Sequence, residues 1–492
     1  MGKKSRSQRR KRGKDPSRSD DDNSTDGGDF DLLSDQHTID GMLSQGDFTL
    51  DSIQDDVSWD IHDGDDDAYH KNSTEDDALQ SAEIRQQKLS EILSNTVPEF
   101  AQEKRSSKRE AMLKTWFKAL TNYATVAPYD VVESYRDLLV QACSQAILRG
   151  SSSEQYAGCR VLEGMAVLIG DYDLYESLVK RLTRTIQGTQ RATPVRVSAL
   201  RALGMLVFCG IEDDVVTESV LDLCEQVIQK EYRGQATPSA LRAAAWQIWT
   251  LLATTIHELY VAGKDEVSVG RGLLLLPVIA ECLETEEQNS ALKEAAGQAM
   301  AYIHDARLRL GVDALDGDVH QVENTTDLQY KMGSWEGSEW EGLVDEITQT
   351  IYELAHASGH YLSKKAKKEQ RHVFRDYLAM LQDNETPVEV INFRGGSLEL
   401  NKFQDIVALD FVKRCLQGGF QIQLLTNPTL QAIFGFDGAS LGGSMGYSQL
   451  EKRLLLSKTS EASKLKDQGR HKNRDKRQNI KNHFLTADGE DI

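Results

Sequence analysis

The chain has 492 residues, 27% of them charged and 39% hydrophobic, with a formal net charge of −20 at pH 7. That length leaves room for two or three domains. No run approaches eighteen uncharged apolar residues, the longest being "LLLLPVIA" at 273–280, and the six cysteines (Cys143, Cys159, Cys209, Cys224, Cys282 and Cys415) form no Cys-x-x-Cys pair. Both observations argue against a membrane span and an oxidising compartment, so the protein is expected to be soluble, with buried free thiols, and to divide between cytoplasm and nucleus.

Charge is spread unevenly along the chain. Residues 1–19 carry nine Lys or Arg against one Asp, residues 20–77 twenty Asp or Glu against Lys71 alone, and residues 452–482 eleven Lys or Arg against three acids. The remainder is net acidic, so basic arms able to bind a polyanion flank a body that repels one. In "KKSRSQRRKRGK" at 3–14, Lys3, Lys4, Arg9, Arg10, Lys11 and Arg12 are candidates for a nuclear-import signal, with an RNA-binding arm or a solvated tail as alternatives. From Asp20 to Asp77 acids surround spaced hydrophobics such as Phe30, Leu43, Phe48 and Trp59. Self-repulsion and sparse apolar content predict a disordered leader over 1–77, similar to activation regions or to an inert acidic spacer.

Order is predicted from about residue 78. "ALQSAEIRQQKLSEIL" reads as an amphipathic helix with Ile84, Leu89 and Ile92 or Leu93 on one side, and "SKREAMLKTWFKALTNYA" as a second with Met112, Trp116, Leu120 and Tyr123. After "VVESYRDLLVQACSQAIL" one pattern recurs. Cys159-Arg160-Val161-Leu162 is answered 41 positions later by Leu200-Arg201-Ala202-Leu203, and 41 later again by Leu241-Arg242-Ala243-Ala244. A period near 40 made of two apolar-faced helices suits a HEAT or armadillo-like solenoid, because one pair cannot bury its apolar face alone. A helix over 239–262 would turn Leu241, Ala245, Ile248, Leu252, Ile256 and Leu259 inward. Trp246, Trp249 and Tyr260 fall partly off that face, where packing on the next layer is favoured over a binding surface.

The fold expected is therefore all-α, a helical-repeat solenoid over 78–310. A loop insert follows at 311–340, then a helical and hairpin module at 341–436, a Gly-rich linker at 437–446 and a basic helix with its tail at 447–492. Within the module, "SKKAKKEQRHVFRDYLAMLQ" combines a basic first half with a Phe374, Tyr377, Leu378, Leu381 stripe, which suits a helix lying along an acidic neighbour. "VEVINF" and "SLEL" flank Arg394-Gly395-Gly396 as a β-hairpin, and the helix "KFQDIVALDFVKRCL" comes next.

No catalytic constellation emerges. His356 and His360 have i, i+4 spacing without an intervening Glu or a third ligand, and "GASLGGSMG" at 438–446 neither follows a strand nor ends in Gly-Lys-Ser/Thr. No catalytic residue, metal ligand, cofactor or small-molecule substrate is assigned. The strongest physical signal is the C-terminal stretch, where "KDQGRHKNRDKRQNIKNHF" has almost no apolar face and should fold only on a polyanion. Lys452, Arg453, Lys464, Lys466, Arg470, Lys472, Arg474, Lys476, Arg477 and Lys481 are its candidate phosphate contacts. Arginine also stacks on exposed bases, which favours RNA.

Four stretches, "RSSKREAMLKTWFKAL" (105–120), "FRDYL" (374–378), "LLTNPTLQAIFGF" (424–436) and "RDKRQNIKNHF" (474–484), together resemble the interferon-related developmental regulator family over residues 78–485. The Gly-rich insert and the long acidic leader depart from its better-known animal members. The resemblance implies a helical-repeat protein without enzymatic activity. It further implies one of two roles: binding inactive ribosomes through a C-terminal helix that enters ribosomal RNA channels, or co-regulating transcription with transcription factors and histone deacetylase complexes. The basic tail favours the ribosomal role, and the leader with its basic N-terminal cluster suits the other.

Overall fold

Residues 75–124, 129–263, 270–285, 290–316, 335, 338–356, 364–393 and 396–436 are described by the structure, a computed structural model. The leader, the Gly-rich linker, the basic tail and most of the 311–340 insert lie outside the described residues.

Helix α1 (Glu75–Gln102) begins close to the predicted start and runs longer than the sequence suggested. Leu89, Leu93, Val97 and Phe100 continue one buried stripe past Pro98, and the Phe100 ring sits 5.0 Å from that of Trp116 on α2 (Ser106–Tyr123). That contact holds the turn in which Pro98 removes a backbone donor. Ile84, expected inside, is exposed, and Leu93 rather than Ile92 is the residue fully buried.

Beyond a short α3 (Asp130–Ser134), helices α4 (Arg136–Arg149) and α5 (Ser152–Ile169) form a pair, as do α6 (Tyr172–Gln187) and α7 (Thr193–Gly210). The pairs continue with α8 (Asp214–Ile228) and α9 (Ser239–Ala253), then, past a short α10 (Glu258–Ala262), with α11 (Arg271–Glu284) and α12 (Ser290–Asp316). The last pair is α13 (Glu341–His356) and α14 (Lys364–Asp383). The second helices stack on one another in the order α2, α5, α7, α9, α12, α14, an all-α repeat stack as the sequence period predicts. At Gly204 a Cβ would lie 2.7 Å from the Ile248 side chain, so the missing side chain is what lets α7 and α9 approach. Helix α7 is long and apolar enough to cross a membrane by length and composition, and it lies between α5 and α9.

A shared polar device recurs at three helix ends. The last turn of a helix leaves carbonyls without N–H partners, and here arginines supply them. Arg191 donates to Ile147 O (2.8 Å), Arg196 to Ile186 O (2.8 Å) and Arg242 to Ile228 O (2.6 Å). These bonds correct the repeat register. The N-caps Ser151, Ala192 and Pro238 are 41 and then 46 residues apart, so Arg242 corresponds to Arg196, not to Arg201. The extra residues form a hairpin, β1 (Glu231–Tyr232) and β2 (Gln235–Ala236), turned by Arg233 and Gly234 at φ 53° and 72°.

The helix predicted over 239–262 breaks after Ala253. The Thr254 and Thr255 hydroxyls bond back to Leu251 O and Leu252 O, and His257 Nδ1 accepts from Leu259 N to start α10. Leu259 is consequently partly exposed. Trp246 and Trp249 are buried edge to face at 5.9 Å, whereas Tyr260 faces water.

The predicted β-hairpin is present as β3 (Glu389–Phe393) and β4 (Gly396–Leu400), antiparallel with Glu389 opposite Leu400. The chain then turns back along the stack. Helix α15 (Phe403–Leu416) touches α12, α9 and α5; a 3-10 turn at Gln417–Gly419 and α16 (Phe420–Thr426) reach α2; and α17 (Pro428–Ile433) rests on α5.

Candidate nucleic-acid interface and the closed inner face

The sequence-predicted contacts from Lys452 to Lys481, and the import candidates from Lys3 to Arg12, lie outside the described residues. The structure does define the support from which the tail extends, because residues 403–436 fill the face of α2, α5, α9 and α12 on which they lie.

That closure rests on polar links between an apolar stack and an apolar strap. Helix α5 carries Arg160 and Glu163 three residues apart on its covered side; both are buried and form an ion pair. Arg160 also donates to Cys415 O (2.8 Å), a carbonyl in the last turn of α15, and its guanidinium lies 4.4 Å from the Phe117 ring centroid. Burial opposes the Arg160 charge most strongly of any single cause, but Glu163, Tyr156 and Cys415 together hold the guanidinium above its ordinary value. Farther along, Gln423 Nε2 donates to Thr121 O (3.1 Å) and Ala124 O (2.7 Å), serving the open end of α2. Asn427 Nδ2 donates to Val167 O (2.9 Å) near the end of α5, while its Oδ1 accepts from Thr429 N and Leu430 N and so caps α17. Pro428 sits in the first turn, where no N–H is needed. Gly419 presses on Thr121, whose carbonyl oxygen would lie 2.5 Å from any Cβ there.

Sequence reasoning missed this seam. Its signal was an Arg and a Glu three apart inside the otherwise apolar "CRVLEGMAVLIG", which demands a buried partner, together with Gln423 and Asn427 at i, i+4 spacing.

Helix α14 presents a second feature. Phe374, Tyr377 and Met380 are buried against the stack, Leu378 and Leu381 are half-buried, and the Phe374 and Tyr377 rings meet edge to face at 5.9 Å. Gly297 of α12 admits Tyr377, since a Cβ there would lie 2.9 Å from its ring. The expected acidic neighbour is α13, which bears Glu341, Asp345, Glu346 and Glu353. On the side away from the buried stripe His372 and Arg375 are exposed, and His372 is bonded to Asp376 (2.9 Å).

Reactive chemistry has little support among the described residues. All six thiols are free; burial raises the pKa of each, that of Cys209 to about 12. Such thiols are poor nucleophiles at neutral pH. No group of three or more His, Cys, Asp or Glu side chains that could hold a metal occurs among the described residues. His356 bonds to Tyr352 O, and His360 lies outside them. One buried histidine has a defined role: His304 Nδ1 accepts from Trp335 Nε1 (2.9 Å), which leaves Nε2 to donate to Asn384 Oδ1 (2.8 Å).

A family model described as interferon-related developmental regulator matches residues 58–382. Interferon-related developmental regulator 1 of Mus musculus is 24% identical over 396 residues, covering 77% of this chain and 79% of its own length. The Homo sapiens protein of the same name is 24% identical over 400 residues, with 78% and 80% covered. Interferon-related developmental regulator 2 of Mus musculus is 23% identical over 360 residues, with 70% and 73% covered. The matched segment contains "RSSKREAMLKTWFKAL" and "FRDYL" and ends before the Asn427 strap and the basic tail.

Proposed function

Because the chain belongs to the interferon-related developmental regulator family, whose members regulate gene expression, we propose that it is a non-enzymatic regulator that binds ribosomal RNA through its basic C-terminal helix and holds ribosomes inactive. The observation that carries this reading is the closed inner face. Open inner faces are what helical-repeat proteins use to bind extended ligands, and here the Arg160, Gln423 and Asn427 links fill that face with the chain's own residues 403–436. Partner binding is thereby left to the surfaces and arms, of which residues 452–482 carry eleven Lys or Arg against three acids. The strap also gives the tail a fixed base, since Phe436, the last described residue, follows α17 on α5.

The test is sedimentation of cell extract through a sucrose gradient with and without RNase, comparing the full chain with a truncation after Gln449. Co-sedimentation with ribosomes that is lost on truncation is expected. Affinity for isolated ribosomes should fall with salt at a log–log slope of roughly −5 to −7, as neutralising about seven to ten phosphates at about 0.7 counterions each implies. Migration only with free nuclear complexes, unaffected by RNase, would overturn the proposal in favour of a transcriptional co-regulator working with histone deacetylase-type complexes through the repeat surface and leader.

A further inference from the structure

We infer that β3 is an open strand edge that takes up an extended segment of a partner protein, one in which β-branched apolar and basic residues alternate. The inference is independent of the RNA-binding reading, because this surface is acidic and would repel RNA. β3 and β4 form a two-stranded sheet, and among the described residues no backbone hydrogen bond joins either strand to anything beyond the hairpin. A strand carries N–H and C=O groups along both sides, so the outer side of β3 offers a row of donors and acceptors to a further strand. One face anchors the hairpin: Ile391 and Leu400 are buried, and Leu398 is half-buried against the core. Alternation sends the other face outward, where Val388 and Val390 are 55% and 49% exposed and Glu399 stands opposite Val390.

Exposed edges are usually blunted by cations, proline, a bulge or very short strands. The β1–β2 hairpin follows that rule, with strands of two residues beside Lys230 and Arg233. β3 does not. It has five residues paired in continuous register, Pro387 stands before it rather than in it, and no Lys or Arg occurs from Gln382 to Phe393. The hairpin's own cations, Arg394 and Lys402, flank β4 in sequence. Asp383, Glu385, Glu389 and Glu399 are exposed, and none of the four has an ion-pair partner among the described residues. A strand added beside β3 would set its residues level with these side chains: β-branched ones beside Val388 and Val390, and Lys or Arg beside Glu389. A second copy of the same edge would instead bring carboxylates towards carboxylates, which is unfavourable across strands.

The experiment measures binding of a fluorescein-labelled synthetic hexapeptide of alternating lysine and valine to the full chain by anisotropy. Its controls are the same peptide N-methylated at every residue, which keeps side chains and charge but loses the backbone donors, and the peptide with glutamate in place of lysine. The lysine peptide should bind saturably, and both controls on the order of tenfold or more weakly. The V388S/V390S variant should melt like the wild type and bind the lysine peptide roughly threefold to thirtyfold more weakly, as the loss of two cross-strand pairs implies. Bound peptide should slow amide hydrogen exchange over residues 388–393, a readout that holds even if the variant is less stable. No saturable binding up to about 1 mM would overturn the inference. So would equal binding of the N-methylated peptide, which means attraction by charge alone, or slowed exchange only outside the hairpin. Wild-type dimers in sedimentation equilibrium that V388S/V390S abolishes would also overturn it, assigning the edge to a second copy of the chain.

Discussion

Arginine does opposite work in two parts of this molecule. Within the stack, Arg160, Arg196 and Arg242 are at most 7% exposed and point their N–H groups at helix carbonyls or at carboxylates within the fold. On α14, by contrast, Arg375 and His372 are open to water. A guanidinium offers five donors and cannot shed its charge, so it can replace the missing backbone donors at a helix end even when buried, provided that every donor direction finds an acceptor. Net charge therefore says little about which cations are available to a partner. Position on the helix decides it.

If that division is real, the largest effect comes from leaving a buried arginine without its carboxylate. Glu163→Ala should destabilise the fold by about 3–5 kcal/mol, read from the shift of the urea midpoint, because Arg160 would stay charged with only the Cys415 carbonyl and the Phe117 face to meet it. Replacing both partners, Arg160→Met with Glu163→Leu, should recover most of the loss. A Glu163→Ala loss under about 1 kcal/mol would mean that the seam is wet, and the contrast with α14 would collapse.

Next in size is the strap. Asn427→Ala removes the donor to Val167 O and the cap of α17 together, and about 1–3 kcal/mol should be lost. Because the lost contacts hold residues 427–436 to α5, limited proteolysis should cut there faster while the stack around α7 and α9 stays protected. Uniform protection would show the strap to be held by its apolar residues, such as Phe420, Leu424 and Leu430, alone.

The stack was legible in the sequence because burial of a helix face writes a local period. Leu203 of the recurring pattern and Ile248 of the predicted inward face are both fully buried, and Arg394-Gly395-Gly396 between two alternating stretches signalled the hairpin in which β3 pairs with β4. Errors arose where local chemistry overrides the period. Thr254 and Thr255 end a helix whose apolar spacing continues, and the β1–β2 insertion shifts the third repeat by five residues while leaving a look-alike Leu-Arg-Ala in place. The return of 403–436 over the inner face was not legible, since contacts such as Arg160 with Cys415 span some 255 residues and leave no short-range pattern. The candidate RNA contacts of the tail were readable as charge alone, and charge carries no geometry.

A smaller effect should come from pH. Burial lowers the pKa of His304, and the neutral ring is the form that accepts from Trp335 and donates to Asn384. The unfolded chain then binds more protons than the folded one between the lowered value and the ordinary one near 6.5, so this contribution is full above about pH 6.5 and is lost as pH falls below it. Trp335, stacked on the His304 ring at 6.2 Å, should report the change as a red shift in emission on acidification. His304→Gln, which retains one donor and one acceptor, should remove the pH dependence. An unchanged profile would place the titration elsewhere.

The smallest effect tests the other half of the comparison. Arg375 is exposed and follows Arg371 by four residues, so the pair repels rather than supports the helix. Arg375→Ala should change stability by about half a kcal/mol or less, in the stabilising direction at low salt. The gain should vanish in 1 M salt, where screening acts within about 3 Å. Chemical denaturation at both ionic strengths measures it. A loss above about 1 kcal/mol would show that this side chain has a partner inside the fold, as Arg160 does, and the contrast between the two would fail.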